Sequence, residues 1–249
     1  MTALTCRLWW ASPDDASPAL LGLLDPGERE RRERFRAAAD RDRYLVAHAL
    51  ARLALARAAG CEPDRVSFTL RCRSCEHRRD RRPEPHGKPL PAGPAAGWEI
   101  SISHSGDRVL LALTHGTPVG ADVEQIAPGR DTDGLVDYCL RPRERGDLDR
   151  LPEGRRTEGF FGYWARKEAL LKATGDGLSG GLGSVGVSGP FEPAAVVEWD
   201  SADAPVQVRL TDLDAGPGYR AALAALCAGP VNAQVCDTAE LLGTRRTVG

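Results

Sequence analysis

Three short clusters carry residue types suited to chemistry. The first is Gly120-Ala121-Asp122-Val123-Glu124. On a strand, residues i and i+2 share a face, so Asp122 and Glu124 point the same way. Two carboxylates on one face repel unless a cation sits between them, and hard oxygen ligands of this kind suit Mg²⁺. Taken alone, the cluster also fits a solvent-exposed acidic strand end. The second cluster is Trp164-Ala165-Arg166-Lys167-Glu168-Ala169-Leu170-Leu171-Lys172, followed by Gly175-Asp176-Gly177-Leu178. On a helix, Trp164, Glu168 and Lys172 fall at i, i+4 and i+8 and form one stripe. A Glu–Lys pair on a solvated face is the bland account, but a large aromatic on the same stripe is better placed at the edge of a cleft. Gly175 and Gly177 let the chain turn sharply and approach a ligand closely. The third cluster joins Gly87-Lys88-Pro89 to Ser101-Ile102-Ser103-His104-Ser105. Here Lys88 and His104 are candidates to face a phosphate, with Ser103 and Ser105 adding hydroxyl donors.

Positioning these groups requires both helices and strands. Asp25-Pro26 with Glu28 reads as a helix start with a capping box. Arg29, Arg31, Arg32, Arg34 and Arg36 follow in that segment. A second helix is expected from near Asp40 to Gly60, with Val46, Ala49, Leu50 and Leu53 on its apolar face. Residues 71–97 are rich in Arg, Pro and Gly and predict an irregular loop. Trp98, Ile100 and Ile102 then alternate with polar residues as a half-buried strand does. Residues 109–114 are expected to be its hairpin partner, and 119–123 a third strand. A polar linker is expected over 127–157, then a helix from Thr157 to Thr174 stopped by Gly175. Short strands are expected at 185–187, 195–199, 206–210 and 219–226. The order helix, strands, helix, strands predicts an α+β fold of two similar halves, residues 1–116 and 117–249, divided near Gly116.

The bulk numbers fit such a fold. At 249 residues and 42% apolar content, the chain can bury a sizeable core. A net charge of −2 argues against a nucleic-acid binder held by bulk charge. No run approaches a membrane span or a secretory signal. Seven scattered cysteines, an odd number, point to reduced thiols and a cytoplasmic location.

In order and spacing, Gly87-Lys88-Pro89, Ile102-Ser103-His104-Ser105, Gly120-Ala121-Asp122-Val123-Glu124 and Trp164-x-x-Lys167-Glu168-Ala169-x-x-Lys172-x-x-Gly175-x-Gly177-Leu178 resemble the signature motifs of 4′-phosphopantetheinyl transferases. The long, two-halved Sfp (surfactin synthetase-activating) type fits best, over roughly residues 25–226. Ala121 stands where that family usually has a larger aliphatic residue. The resemblance implies two halves related by a pseudo-twofold axis, with coenzyme A in the cleft between them. It implies that Asp122, Glu124 and Glu168 hold Mg²⁺, with Mn²⁺ a substitute, against the pyrophosphate. It places Lys88, Ser103 and His104 near the 3′-phosphate, with Arg43 and Arg31 helping from the N-terminal helices. Lys172 would sit at the pyrophosphate, and Glu168 is the candidate general base, directly or through water. The implied partners are acyl or peptidyl carrier protein domains of polyketide or nonribosomal peptide synthesis, served by a monomer. Two other readings compete: an inactive relative that only docks carriers, and a Mg²⁺-dependent pyrophosphate hydrolase, whose commonest form the missing P-loop pattern removes.

Cys72-x-x-Cys75, with His77 and His86 nearby, also suggests a Zn²⁺ site. No firm fourth ligand accompanies it, and two reduced cysteines in a surface loop are the alternative.

Overall fold

The computed structural model describes residues 3–71, 87–127, 132–177 and 181–243. The Cys72/Cys75 zinc candidate and Leu178 therefore lie outside the described residues. Chain order begins with β1 (Leu4–Ala11), α1 (Pro26–Glu33), α2 (Ala38–Ala59), β2 (Ser67–Arg71), β3 (Lys88–Ala92), β4 (Trp98–Ser105), β5 (Arg108–His115) and β6 (Val119–Gln125). It continues with α3 (Asp133–Cys139), α4 (Pro142–Asp149), α5 (Glu153–Thr174), β7 (Val185–Val187), β8 (Val196–Trp199), β9 (Arg209–Leu213), β10 (Tyr219–Ala225), β11 (Val231–Val235) and α6 (Thr238–Leu242). The mixed α+β class is as expected.

Local chemistry explains the helix ends. Asp25 Oδ1 accepts the Glu28 N–H at 2.8 Å, and Glu28 Oε2 accepts the Asp25 N–H at 2.9 Å, closing the expected capping box. Both carboxylates also accept from Arg52 of α2, which ties the two helices together. At their C-termini, α2 and α5 each stop at a left-handed glycine, Gly60 and Gly175.

Two sheets form the centre. The first has the order β11-β1-β5-β4 and the second β6-β10-β9. Helix α2 covers one face of the first sheet, packing Leu45, Ala49, Leu50 and Leu55 against Trp9, Ile100, Val109 and Leu111. Helix α5 covers one face of the second, packing Phe161, Ala165 and Ala169 near Ala222 and Ala224. The remaining faces share a third apolar cluster: Cys6, Leu8, Leu110 and Ala112 meet Val119, Ala121, Val123 and Leu223. The layers therefore run helix, sheet, sheet, helix, with β4 and β6 at the junction.

The structure corrects several expected boundaries. The irregular segment 71–97 contains β3, whose Lys88–Ala92 pairs with Arg71–Ser67. The expected linker contains α3 and α4, and α5 begins at Glu153 rather than Thr157. Pro152 precedes that helix, and Glu153 places a negative charge at its N-terminus, which suits an earlier start. The strand expected at 206–210 lies at Arg209–Leu213. Strand β2 was not expected, nor were β1 and β11, which pair in parallel, Leu4–Leu8 with Val231–Val235, and complete the first sheet.

Candidate active site

The site is built where α5 crosses β6. Gly120 makes that crossing close: a Cβ there would fall 1.9 Å from Ala169 O and 2.4 Å from Ala173 N. With α5 seated on the strand, Asp122 and Glu124 face the stripe that carries Glu168 and Lys172. Asp122 is 2% exposed and Glu168 7% exposed, so both carboxyls sit in protein rather than in water.

Lys172 fills the seam. Its Nζ donates to Asp122 Oδ1 at 2.6 Å, to Ser103 Oγ at 3.0 Å and to Ala121 O at 3.3 Å. Burial pushes the Asp122 carboxyl above the usual range, while Lys172 and the Ser103 hydroxyl pull the other way. Glu168 rises to about 7: burial is the main cause, Asp122 and Glu124 add repulsion, and Lys172 opposes. Asp122 Oδ2 and Glu168 Oε1 are buried with no hydrogen-bond partner among the described residues. Two unsatisfied buried acceptors beside a third carboxylate are a donor set that fits a hard divalent cation. In this arrangement, however, no three metal-ligating side chains among the described residues are close enough together to hold one. Lys172 contributes a positive charge to the cluster.

The serines of β4 take a role the sequence reading missed. Ser101, Ser103 and Ser105 accept the backbone N–H groups of Ala121, Val123 and Gln125 at 2.9, 3.2 and 3.1 Å. Ser103 then donates to Asp122 Oδ1 at 2.7 Å, and Ser105 to Glu124 Oε2 at 2.9 Å. Ser103, expected beside a phosphate, is here committed to the carboxylate cluster.

His104 faces the other cations. Burial, then Arg43 and Lys172, push its imidazole down to about 4, although part of its surface remains open to solvent. Arg43 is fixed from α2 through Gly106 O at 2.9 Å and Asp40 Oδ1 at 2.6 Å. Arg31 lies further along, lining a pocket of about 340 Å³ with Tyr44, His48, Phe68, Ile100 and Ile102. Ile102 alternates with Ser103 on β4, so this pocket lies on the strand face opposite the serines.

Lys88 is placed apart from His104. Its Nζ lies 3.0 Å from Glu99 Oε2 and donates to Val119 O at 3.1 Å and Ala173 O at 3.5 Å. Burial lowers its pKa, opposed by Glu99. Its ammonium thus pins the antiparallel β2–β3 pair to the C-terminal end of α5, where a cation suits the helix dipole. Lys167 is fully buried and faces away from the seam, donating to Cys139 O, Leu182 O and Glu144. Trp164 is half-buried against Phe160, with its Nε1 unpartnered among the described residues.

Comparison with known proteins places the chain among its relatives. The model of the 4′-phosphopantetheinyl transferase superfamily matches residues 118–226, which include β6, α5 and β10. A Synechocystis sp. relative is 32% identical over 180 residues, 71% of this chain and 68% of that one. The 4′-phosphopantetheinyl transferase HetI of Nostoc sp. is 31% identical over 169 residues, 67% of this chain and 66% of its own. The 4′-phosphopantetheinyl transferase Sfp of Bacillus subtilis is 26% identical over 206 residues, 82% and 83% of the two chains. The chain belongs to the 4′-phosphopantetheinyl transferase family. Among the described residues no helix is long and apolar enough to cross a membrane.

Proposed function

We propose that this protein transfers the 4′-phosphopantetheine arm of coenzyme A to a serine of acyl or peptidyl carrier protein domains. Apo carrier becomes holo carrier, and adenosine 3′,5′-bisphosphate is released. The observation that carries the reading is the seam itself: Asp122 bonded to Lys172, Glu168 beside them, and two buried carboxylate oxygens without partners. Asp122, Glu124 and Glu168 would hold Mg²⁺ or Mn²⁺. When bound, the ion neutralises charge on the pyrophosphate oxygens.

The chain's own residues do the rest. The carrier serine oxygen forms a bond to the phosphorus that bears the pantetheine arm. The bond from that phosphorus to the bridging oxygen breaks, and the electron pair leaves with the bisphosphate. Glu168 accepts the serine proton, directly or through a water. Lys172, held here on Asp122, turns to the departing phosphate and neutralises its charge. Arg43, His104 and Arg31 bind the nucleotide end, with Ser103 at the edge and Lys88 joining once it leaves Glu99. A neutral His104 between two cations gains a proton readily when a phosphate arrives.

In this reading the halves meet near Gly116, enclose coenzyme A between them and act as a cytoplasmic monomer on carriers of polyketide or nonribosomal peptide synthesis. Transfer of a fluorescent coenzyme A derivative to an apo-carrier tests the seam. Asp122→Ala and Lys172→Ala should each lower turnover at least about 100-fold, and a chelator should abolish it. Undiminished transfer by either variant would remove that residue from the reaction.

A further inference from the structure

The two central sheets meet through a ladder of three serines. The alternation of β4 puts Ser101, Ser103 and Ser105 on one face, and their partners on β6 are Ala121, Val123 and Gln125. The offset is constant, so β4 and β6 run parallel and are linked by hydroxyls, not by backbone pairing. The two strands belong to different sheets.

Each hydroxyl has one proton. Because each Oγ already accepts a backbone N–H, its own proton is directed elsewhere. At the first rung that acceptor is a backbone carbonyl, Ala121 O at 3.4 Å; the neighbouring Gly120 has no side chain to take it. At the second rung it is Asp122 Oδ1, and at the third Glu124 Oε2. In each of the last two rungs, the amide of one β6 residue fixes a serine that holds the carboxylate of the residue before it. At Asp122 this leaves Oδ2 as the buried oxygen without a partner.

We infer that Ser103 and Ser105 are positioning residues that aim the Asp122 and Glu124 carboxylates at a divalent cation, while Ser101 only joins the sheets. The inference rests on the metal reading of the seam. Hydrogen-bonding partners behind a metal ligand commonly change metal affinity 10- to 100-fold when removed. The ladder supplies such partners and their matched control on one strand.

Mn²⁺ binding, followed by the electron paramagnetic resonance signal of the free ion with coenzyme A present, tests this without reference to turnover. Ser105→Ala and Ser103→Ala should each weaken Mn²⁺ binding roughly 10-fold or more. Ser105→Thr, which keeps the hydroxyl, should restore most of it. Ser101→Ala should lower thermal stability like the other two yet bind Mn²⁺ as the wild type does. Unchanged Mn²⁺ affinity in Ser103→Ala and Ser105→Ala, or an equal loss in Ser101→Ala, would overturn the inference by reducing the ladder to a structural joint. Absence of Mn²⁺ binding by the wild-type protein would overturn the metal reading itself, and the inference with it.

Discussion

The charge state of His104 is set by its surroundings in the site. Its pKa is displaced from 6.5 to about 4 by burial first and by Arg43 and Lys172 after that. The folded protein therefore binds fewer protons at His104 than the unfolded chain does. The stability tied to the neutral ring is present above pH 6.5 and is lost as pH falls through about 4. A bound 3′-phosphate reverses the electrostatics, so coenzyme A binding at about pH 6 should take up protons. Calorimetry in two buffers of different ionisation enthalpy measures that uptake. Dephospho-coenzyme A, or His104→Gln with coenzyme A, should show much less. Equal uptake for both ligands by the wild-type protein would remove His104 from the phosphate site. That Asp122 shares a face with Glu124, and Glu168 with Lys172, was legible from the strand and helix periods; that the two faces belong to one site was implied only by the family resemblance. The fate of the serine hydroxyls was not legible, since it depends on a neighbouring strand in another sheet.

At the scale of elements, the seam depends on how closely α5 lies on β6. Gly120 does not adopt a left-handed φ; its place is dictated by the helix backbone that a Cβ would strike at 1.9 Å. Gly120→Ala should therefore lift the helix, lower stability by about 1–3 kcal/mol and weaken transfer beyond what the stability loss explains. Thermal unfolding and turnover on the same preparation check both parts. Wild-type values for each would show that the crossing tolerates expansion. Helix α5 is also anchored through Lys167, which lies in the same motif as Glu168. Lys167→Ala leaves Glu144, 2% exposed, without its cation and should cost about 3–5 kcal/mol in a denaturant titration. A cost below about 1 kcal/mol would mean that water reaches the pair. Lys167 stands in the sequence among the other motif residues, and periodicity does not separate an inward lysine from one at a cleft. Nor were α3 and α4 legible, whose polar composition resembles a linker, or β11, whose partner β1 lies at the opposite end of the chain.

Across the whole molecule, the helix, sheet, sheet, helix layering puts the residues proposed for the nucleotide end, Arg31, Arg43 and His104, on α1, α2 and β4, and the carboxylates on β6 and α5. Lys88 bridges the two groups through Glu99, Val119 O and Ala173 O. Its place gives a clean alternative. A phosphate reader replaced by alanine should weaken coenzyme A binding roughly 10- to 100-fold and dephospho-coenzyme A much less. A lysine that only pins α5 should weaken both equally, so the ratio measured for Lys88→Ala assigns its role.

The central claim is that this seam moves a phosphopantetheine group onto a carrier serine. Intact-mass measurement of a panel of apo-carrier domains, incubated with the protein, coenzyme A and Mg²⁺, tests it most directly. The account predicts that at least one carrier gains one phosphopantetheine group, with an equal amount of adenosine 3′,5′-bisphosphate released. It also predicts that Glu168→Gln slows the gain at least about 100-fold while coenzyme A still binds. A folded protein that binds coenzyme A yet leaves every carrier at its apo mass, or a Glu168→Gln protein that transfers at the wild-type rate, would contradict it.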